Sequence, residues 1–346
     1  MNSSDNSTLL DSDENVIICG NNLDYISIVK FSIKGKKLWR KDYLIWDSAF
    51  ANAIAQTGNR NLYICGDVIK NREDYNRDIL LVKANSNGDT LWTKTYGGTK
   101  DENGLNIITT SDGNLLIAGK TESFGADSYG DIYLLKLNQD GDTLWTRHYS
   151  DPGQQFPASL TEMCDGSYLV TGNYMGKEAF KTNENYLLKV DTNGNKMWDR
   201  KYGPHEWMWS YSSVELNSGE ILTCGRITED GYSQVLLLRA DKDGNYYREY
   251  SYGSPKLTEV GYSIKQNNDD TFTIAGSSFD VTTGLNEIIT LKIREDGAQV
   301  WFKRFGTSEN SNGYNLLKTS NNDNVVTGNY DYNMFMTVLK DDGKFR

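Results

Sequence analysis

Residues 99 to 151 read TKDENGLNIITTSDGNLLIAGKTESFGADSYGDIYLLKLNQDGDTLWTRHYSD, and this stretch decides the fold. Its apolar residues alternate or run in fours and never recur at three and four, so it holds strands and no helix. Four strands are expected: Gly104 to Thr110, Asn114 to Lys120, Asp131 to Asn138, and Asp142 to Tyr149. Ser111-Asp112-Gly113 and Gln139-Asp140-Gly141 read as tight turns, because Gly supplies the positive φ that a short hairpin needs. The connection from Thr121 to Gly130 is longer and polar.

The same unit recurs along the chain. The Gly that closes the second strand returns as Gly20, Gly66, Gly119, Gly172, Gly225, Gly276 and Gly328; after a first step of 46 residues the spacings are 53, 53, 53, 51 and 52. The aromatic of the fourth strand keeps that register as Trp39, Trp92, Trp145, Trp198, Tyr247 and Trp301. Repeats of about fifty residues holding four antiparallel strands are the signature of a β-propeller, in which each repeat is one blade packed on its neighbours. The expectation is a single all-β domain over 1–346: a seven-bladed propeller with blades at about 1–45, 46–98, 99–151, 152–204, 205–254, 255–306 and 307–346. The seventh unit has three strands and stops at Lys344-Phe345-Arg346, so its outer strand is expected to be missing.

By length alone the 346 residues could form two domains, but internal repetition argues for one closed body. A net charge of −11 disfavours nucleic acid and anionic membrane surfaces as partners. Aromatics make up 12% of the chain, with 22 Tyr and 8 Trp, which marks a folded composition and not a disordered one. No run of eighteen apolar residues is present, so no membrane-spanning helix is expected. The start, Met1 to Ser7, has neither the basic region nor the apolar core of a signal peptide. The chain is then either cytoplasmic or exported by a signal outside these residues. Cys19, Cys65 and Cys224 each precede the marker Gly, where Ala118, Thr171 and Ala275 stand in other repeats. That slot wants a small buried side chain, so these are expected to be buried thiols, with no disulfide and no metal.

The turn into the fourth strand, seen as Asp191-Thr192-Asn193-Gly194-Asn195-Lys196-Met197-Trp198 and as Asn138 to Trp145, resembles the tryptophan motif of pyrroloquinoline-quinone-type propellers. In that family the Trp docks against the neighbouring blade. The quinone-binding residues have no matching motif here, so no cofactor is carried over. The whole unit, with an ending such as Gly88-Asp89-Thr90-Leu91-Trp92, is similar over nearly the entire chain to the secreted and lipoprotein β-propeller repeats common in Bacteroidota. That resemblance implies a fold and a periplasmic or cell-surface setting, and it implies no activity.

Function is expected on the face that carries the long, varied loops, around the mouth of the channel. The strongest patch is Gly203-Pro204-His205-Glu206-Trp207-Met208-Trp209-Ser210-Tyr211, because flat aromatic rings serve for stacking on sugars or anchoring a protein partner. Trp46, Phe156 and Tyr174 are expected to join it, with Asp47, Met175 and Phe180 in the same loops. The competing reading packs Trp207 or Trp209 between blades. A second constellation is one repeat position just before the first strand: Ala49, Glu102, Gln155, Trp209, Glu259 and Ser311, expected to ring the channel entrance. Glu102 and Glu259 would be candidate paired carboxylates for glycoside hydrolysis, against a reading as locally bonded glutamates. The Asx-Gly turns at Asn85, Asn138, Asp191 and Asp241 have some likeness to calcium loops but lack a distal bidentate Glu. No common catalytic motif is present.

The leading expectation is a non-catalytic binding module for a carbohydrate or protein ligand. The alternative is a carbohydrate-active hydrolase or lyase using Glu102, Glu259, His205 or Tyr211. A third is a structural subunit whose partner adds to the open edge of the last blade.

Overall fold

The structure is a computed structural model that describes residues 7–22, 25–45, 48–69, 75–125, 130–176, 183–203, 207–229, 231–306, 310–330 and 333–346. Among these residues there are 27 strands, β1 to β27, and consecutive strands pair as antiparallel meanders. The sheets are residues 7–43 (β1 to β4), 48–96 (β5 to β8), 102–149 (β9 to β12), 153–202 (β13 to β16), 207–252 (β17 to β20), 258–305 (β21 to β24) and 311–339 (β25 to β27). The fourth and fifth are joined through one parallel bridge, Asn183 to Trp207. In the stretch that opened the analysis the strands are β9 (Glu102–Thr109), β10 (Leu115–Thr121), β11 (Asp131–Leu137) and β12 (Thr143–Tyr149). The last sheet is β25 (Ser311–Lys318), β26 (Asn324–Tyr330) and β27 (Asn333–Leu339), and Phe345 makes a single antiparallel bridge back to Leu339.

Contacts within the chain divide it into two compact units. One comprises Met1–Val170, Tyr174–Ala179 and Leu188–Met197; the other comprises Thr171–Asn173, Phe180–Leu187 and Trp198–Arg346.

Second and third strands are buried on both faces, as β11 is throughout, because their sequences are near-continuous apolar runs. Adjacent sheets share their cores. Ile17, Ile26 and Ile28 of the first sheet pack with Ile54, Ile64 and Leu80 of the second. Cys65, Ile79 and Leu81 pack with Ile107, Ile117 and Leu135 of the third. Cys19, Cys65 and Cys224 are free thiols buried in the slot the repeat assigns them, and burial pushes Cys19 up to about 12.

The turn between third and fourth strands closes on the same pair of backbone hydrogen bonds in each repeat, and in the second to fifth an Asx side chain adds to them. Asp191 Oδ1 accepts from the backbone N–H of Asn193 at 2.9 Å and of Asn195 at 2.8 Å, an Asx turn that spends this oxygen on its own backbone. Asn85, Asn138 and Asp241 do the same, which accounts for these oxygens without a cation. Gly194 then takes φ +77, and a Cβ there would lie 2.7 Å from Arg147 Cγ and 2.9 Å from Trp145 Cζ3. The turn therefore seats the fourth strand of the preceding sheet. Tyr149 completes the seat, donating to Gly194 O at 2.6 Å, and Tyr43, Tyr96, Tyr202 and Tyr252 repeat that bond to Gly88, Gly141, Gly244 and Gly297.

One sequence marker moves by a residue. Register pairs Lys136 with Trp145 and Lys292 with Trp301, but Arg239 with Arg248, so Arg248 and not Tyr247 holds the tryptophan position. Elsewhere a cation two residues on lies over the Trp ring, at 5.4 Å for Lys94 on Trp92 and 5.6 Å for Arg200 on Trp198. In β20 (Tyr246–Tyr252) the two are exchanged: Tyr250 faces Gly297, and Arg248 lies 5.8 Å from its ring centroid.

A further regularity pairs a basic residue on the third strand with an acid in the first turn. Lys136 meets Asp112 at 3.2 Å, Lys189 meets Asp165 at 2.9 Å, and Lys292 meets Asp269 at 2.9 Å. Burial opposes ionisation of these aspartates. Hydrogen bonds from Thr110, Ser167 and Thr271, with the lysines, outweigh it and hold all three at about 2.

Candidate functional site

The aromatic patch lies on β17 (Trp207–Glu215), the first strand of its sheet. Alternation decides which side chains are available: Met208 and Ser210 are buried at 1% and 0%, whereas Trp207 is exposed and Trp209 and Tyr211 are half-buried. Successive strand residues point to opposite faces, so Trp207 and Trp209 share one face. The indole of Trp209 lies under Arg226 of β18 (Ile221–Glu229), with the guanidinium carbon 5.5 Å from the ring centroid. The register pairs these two residues directly. That contact sets the guanidinium over the indole ring and limits its movement.

Tyr211 is the extra residue of a β-bulge, where pairing steps from Ser210 with Gly225 to Ser212 with Cys224. A bulge re-aims its side chain. The next two first strands, β21 (Thr258–Gln266) and β25, bulge at the same place, at Tyr262 and Tyr314. The three phenol rings consequently form a file, edge to face, with centroids 5.0 Å apart for Tyr211 and Tyr262 and 5.3 Å for Tyr262 and Tyr314. In the first unit the bulge residues are Asn52 and Leu105, so the file belongs to the second unit. Tyr262 and Tyr314 were missed by the sequence reading, although Ser210-Tyr211-Ser212, Gly261-Tyr262-Ser263 and Gly313-Tyr314-Asn315 carry the signal.

The constellation expected to ring a channel entrance is corrected on two points. The register places Gly104 opposite Gly119 and Ser210 opposite Gly225, so the residue of β17 equivalent to Glu102 is Met208, not Trp209. The position is also buried and does not line an opening. Ala49, Glu102, Gln155, Met208, Glu259 and Ser311 are all 3% exposed or less. Glu102 accepts from Thr121 Oγ1 at 2.7 Å, Ser123 N at 3.1 Å and Gly98 N at 2.6 Å. Glu259 accepts from Ser254 N at 2.5 Å and from Arg304 Nη2 and Nε at 2.5 and 3.0 Å. Each glutamate ties down the loop before its strand, and neither carboxylate reaches solvent.

Of the other candidates, Phe156 is half-buried with Lys120 Nζ 5.9 Å from its ring centroid. Tyr174 does not present its ring for stacking: it is 9% exposed and its hydroxyl donates to Pro152 O, because Gly153 lets the ring close over that turn. Trp46, Asp47, Phe180, His205 and Glu206 lie outside the described residues.

Four-stranded antiparallel meanders that share cores face to face define the class of the protein, an all-β propeller, and solved structures agree. No known family profile matches the chain, and a search of curated proteins finds no match. A protein of unknown function from Bacteroides caccae is similar in structure, with 14% identity, a TM-score of 0.52, and 87% of this chain and 94% of that one covered. The WD40 domain of Neurospora crassa Pan2 has 10% identity and a TM-score of 0.60, with coverage of 94% and 86%. A polysaccharide lyase, an ulvan lyase, has 10% identity and a TM-score of 0.57, with coverage of 88% and 79%. At such identities the likeness is one of fold.

Proposed function

We propose that this chain is a non-catalytic binding module whose β17 face recognises a carbohydrate. The observation that carries the reading is the alternation along β17, which turns Trp207 and Trp209 to one side of a rigid strand, followed at its bulge by the file of phenols Tyr211, Tyr262 and Tyr314. Aromatic faces stack on the apolar faces of sugar rings, and indole N–H and phenol O–H groups at their rims suit hydroxyl partners. A strand fixes the spacing of such rings, so little ordering entropy is lost on binding. The burial of Glu102 and Glu259 supports a non-catalytic role, because an acid or base must come within hydrogen-bond reach of the substrate.

The test is a broad glycan array probed with the wild-type protein and with a Trp207→Ala/Trp209→Ala double variant. Capture of a glycan by the wild type and its loss in the variant, with unchanged thermal unfolding, is the expected result. No capture by either protein, or equal capture by both, would reject the β17 face as the glycan site.

A further inference from the structure

Third strands run through the interior of their sheets. β7 (Arg77–Ala84) is buried from Ile79 to Ala84 and β11 throughout, and each carries an antiparallel fourth strand on its outer side. In the last sheet β27 has the same character: Asn333-Met334-Phe335-Met336-Thr337-Val338-Leu339 contains no charge. Yet β27 is an edge. It pairs with β26 on one side, and no strand among the described residues pairs with it on the other. Met334 to Val338 are accordingly half-buried, where the whole of β11 is buried.

Charged side chains, proline, bulges and short length keep edge strands from pairing with other chains. The fourth strands, which are edges themselves, use two of these devices. Lys94, Arg147 and Lys303 stand on them, and their registers break at a bulge beside Trp92, Trp145 and Trp301. β27 uses neither: its register with β26 runs unbroken from Asn333 to Leu339, and it has no proline.

The open side has a defined register. Past the turn at Asp341-Asp342-Gly343, Phe345 bridges to Leu339, and the backbone N–H of Arg346 donates to Val338 O at 3.0 Å. The carbonyl of Val338 therefore faces outward, and by alternation so do the backbone groups of Met336 and Met334. In the third sheet these three positions are Lys136, Leu134 and Ile132, which pair with Trp145, Arg147 and Tyr149. The turns fix the equivalence: Gly343 N donates to Lys340 O as Gly141 N does to Asn138 O, and Leu339 meets Phe345 where Leu137 meets Thr143. A strand paired with β27 in this register sets a ring opposite Val338, a cation opposite Met336 and a second ring opposite Met334.

The other sheets show which strands such a side accepts. They are Trp-Thr-Lys-Thr-Tyr at 92–96, Trp-Thr-Arg-His-Tyr at 145–149 and Trp-Asp-Arg-Lys-Tyr at 198–202. A net charge of −11 on the chain also favours a cationic segment over an anionic one.

We propose that the outer side of β27 is a docking edge for a partner protein, which adds one antiparallel strand of the pattern Trp-x-Lys/Arg-x-Tyr. Main-chain hydrogen bonds to Val338, Met336 and Met334 hold the strand, and its alternate side chains select it. Nothing in this depends on glycan binding at β17.

The test titrates the whole protein into a fluorescent peptide of residues 143–150, Thr-Leu-Trp-Thr-Arg-His-Tyr-Ser, and reads anisotropy. Two N-methylated peptides separate strand pairing from apolar adhesion. A methyl on the Arg147 nitrogen removes the N–H that meets Met336, whereas one on the His148 nitrogen falls on the side turned away from β27. The expected result is saturable binding, weakened about tenfold or more by the first methyl and unchanged by the second. Met336→Pro deletes an outward N–H without touching the ladder to β26, and should abolish binding at nearly unchanged Tm. Should that variant not fold, the methylated peptides decide the matter by themselves. No saturable binding of the unmodified peptide, or equal binding of both methylated ones, would overturn the proposal. A wild-type dimer that Met336→Pro turns into a monomer in sedimentation would give the edge to a second copy of this chain, and would overturn it as well.

Discussion

At the fourth strands, Tyr43, Tyr96, Tyr149, Tyr202 and Tyr252 each donate to a turn-glycine carbonyl of the sheet that follows. At the first strands, the bulge residue is Asn52 or Leu105 in one unit and Tyr211, Tyr262 or Tyr314 in the other. The outer contact repeats because one problem, seating a strand edge on the next turn, has one solution in the first five sheets; in the sixth, Phe305 stands at the tyrosine position. The bulge position varies because the bulge fixes the backbone there and accepts different side chains, an amide bonded to Gly104 O at Asn52 and packed phenols at Tyr211, Tyr262 and Tyr314. The comparison separates a contact that repeats from sheet to sheet from a position whose side chain changes from sheet to sheet. It also says where substitutions should hurt stability and where they should hurt binding.

The largest expected effect tests whether docking, and not turn geometry alone, fixes the outer glycine. Gly194 and Gly166 lie in two turns of one repeat with φ +77 and +82, but a Cβ on Gly194 would meet Arg147 and Trp145 inside 3 Å, whereas on Gly166 the nearest atom is 3.7 Å away. Gly194→Ala should combine the left-handed strain of about 1–2 kcal/mol with a steric cost of about 1–3 kcal/mol, and Gly166→Ala should show the strain alone. Urea midpoints at constant m measure the difference. Equal losses in the two variants would mean that the tryptophan seat adds nothing.

A smaller effect should come from the repeated lysine–aspartate pairs. Asp112, Asp165 and Asp269 sit at about 2 when folded, below the ordinary carboxylate value of about 3.9. A depressed carboxylate stabilises the fold above its unfolded value, and that contribution is lost as pH falls through the folded one. Tm should therefore hold steady down to about pH 4 and decline between about pH 4 and 2. Asp165→Asn should lower Tm near neutrality and flatten the acid decline. An unchanged slope in that variant would show that the pair with Lys189 is solvated and idle, as many half-exposed pairs are.

Much of the scaffold was legible because its determinants are local. Asx-Gly turns bracket β9 to β12 within two residues, and the small-residue slot at Cys19, Cys65 and Cys224 is buried as expected. The pieces that were misread depend on register between strands. A bulge shifts the count by one, which is why Trp209 was aligned with Glu102 when Met208 is its equivalent. Tyr262 and Tyr314 join Tyr211 only because three bulges coincide. Thr171 was visible as a polar residue in a slot that is Cys or Ala in five other repeats, but its hydroxyl contact with Ser213, and through Ser213 with Thr223, depends on two strands of the next sheet.

The smallest expected effect concerns a fourth strand in which the order of ring and cation is reversed. In β16 (Lys196–Tyr202) the ring of Trp198 carries Arg200, whereas in β20 Arg248 takes the ring position and Tyr250 the cation position. Both orders place one cation over one ring against the next turn, so the exchange keeps the contact while reversing its members. Arg248→Trp leaves two rings and no cation; Tyr250→Arg leaves two cations and no ring for Gly297 to rest on. The double variant recreates the Trp198–Arg200 arrangement. Each single change should destabilise, and the pair together should recover, with a coupling of about 0.5–1 kcal/mol in a double-mutant cycle. Additive losses would show that β20 is held by Tyr252 and its bond to Gly297 alone, and that the outer contact tolerates more variation than its repetition implies.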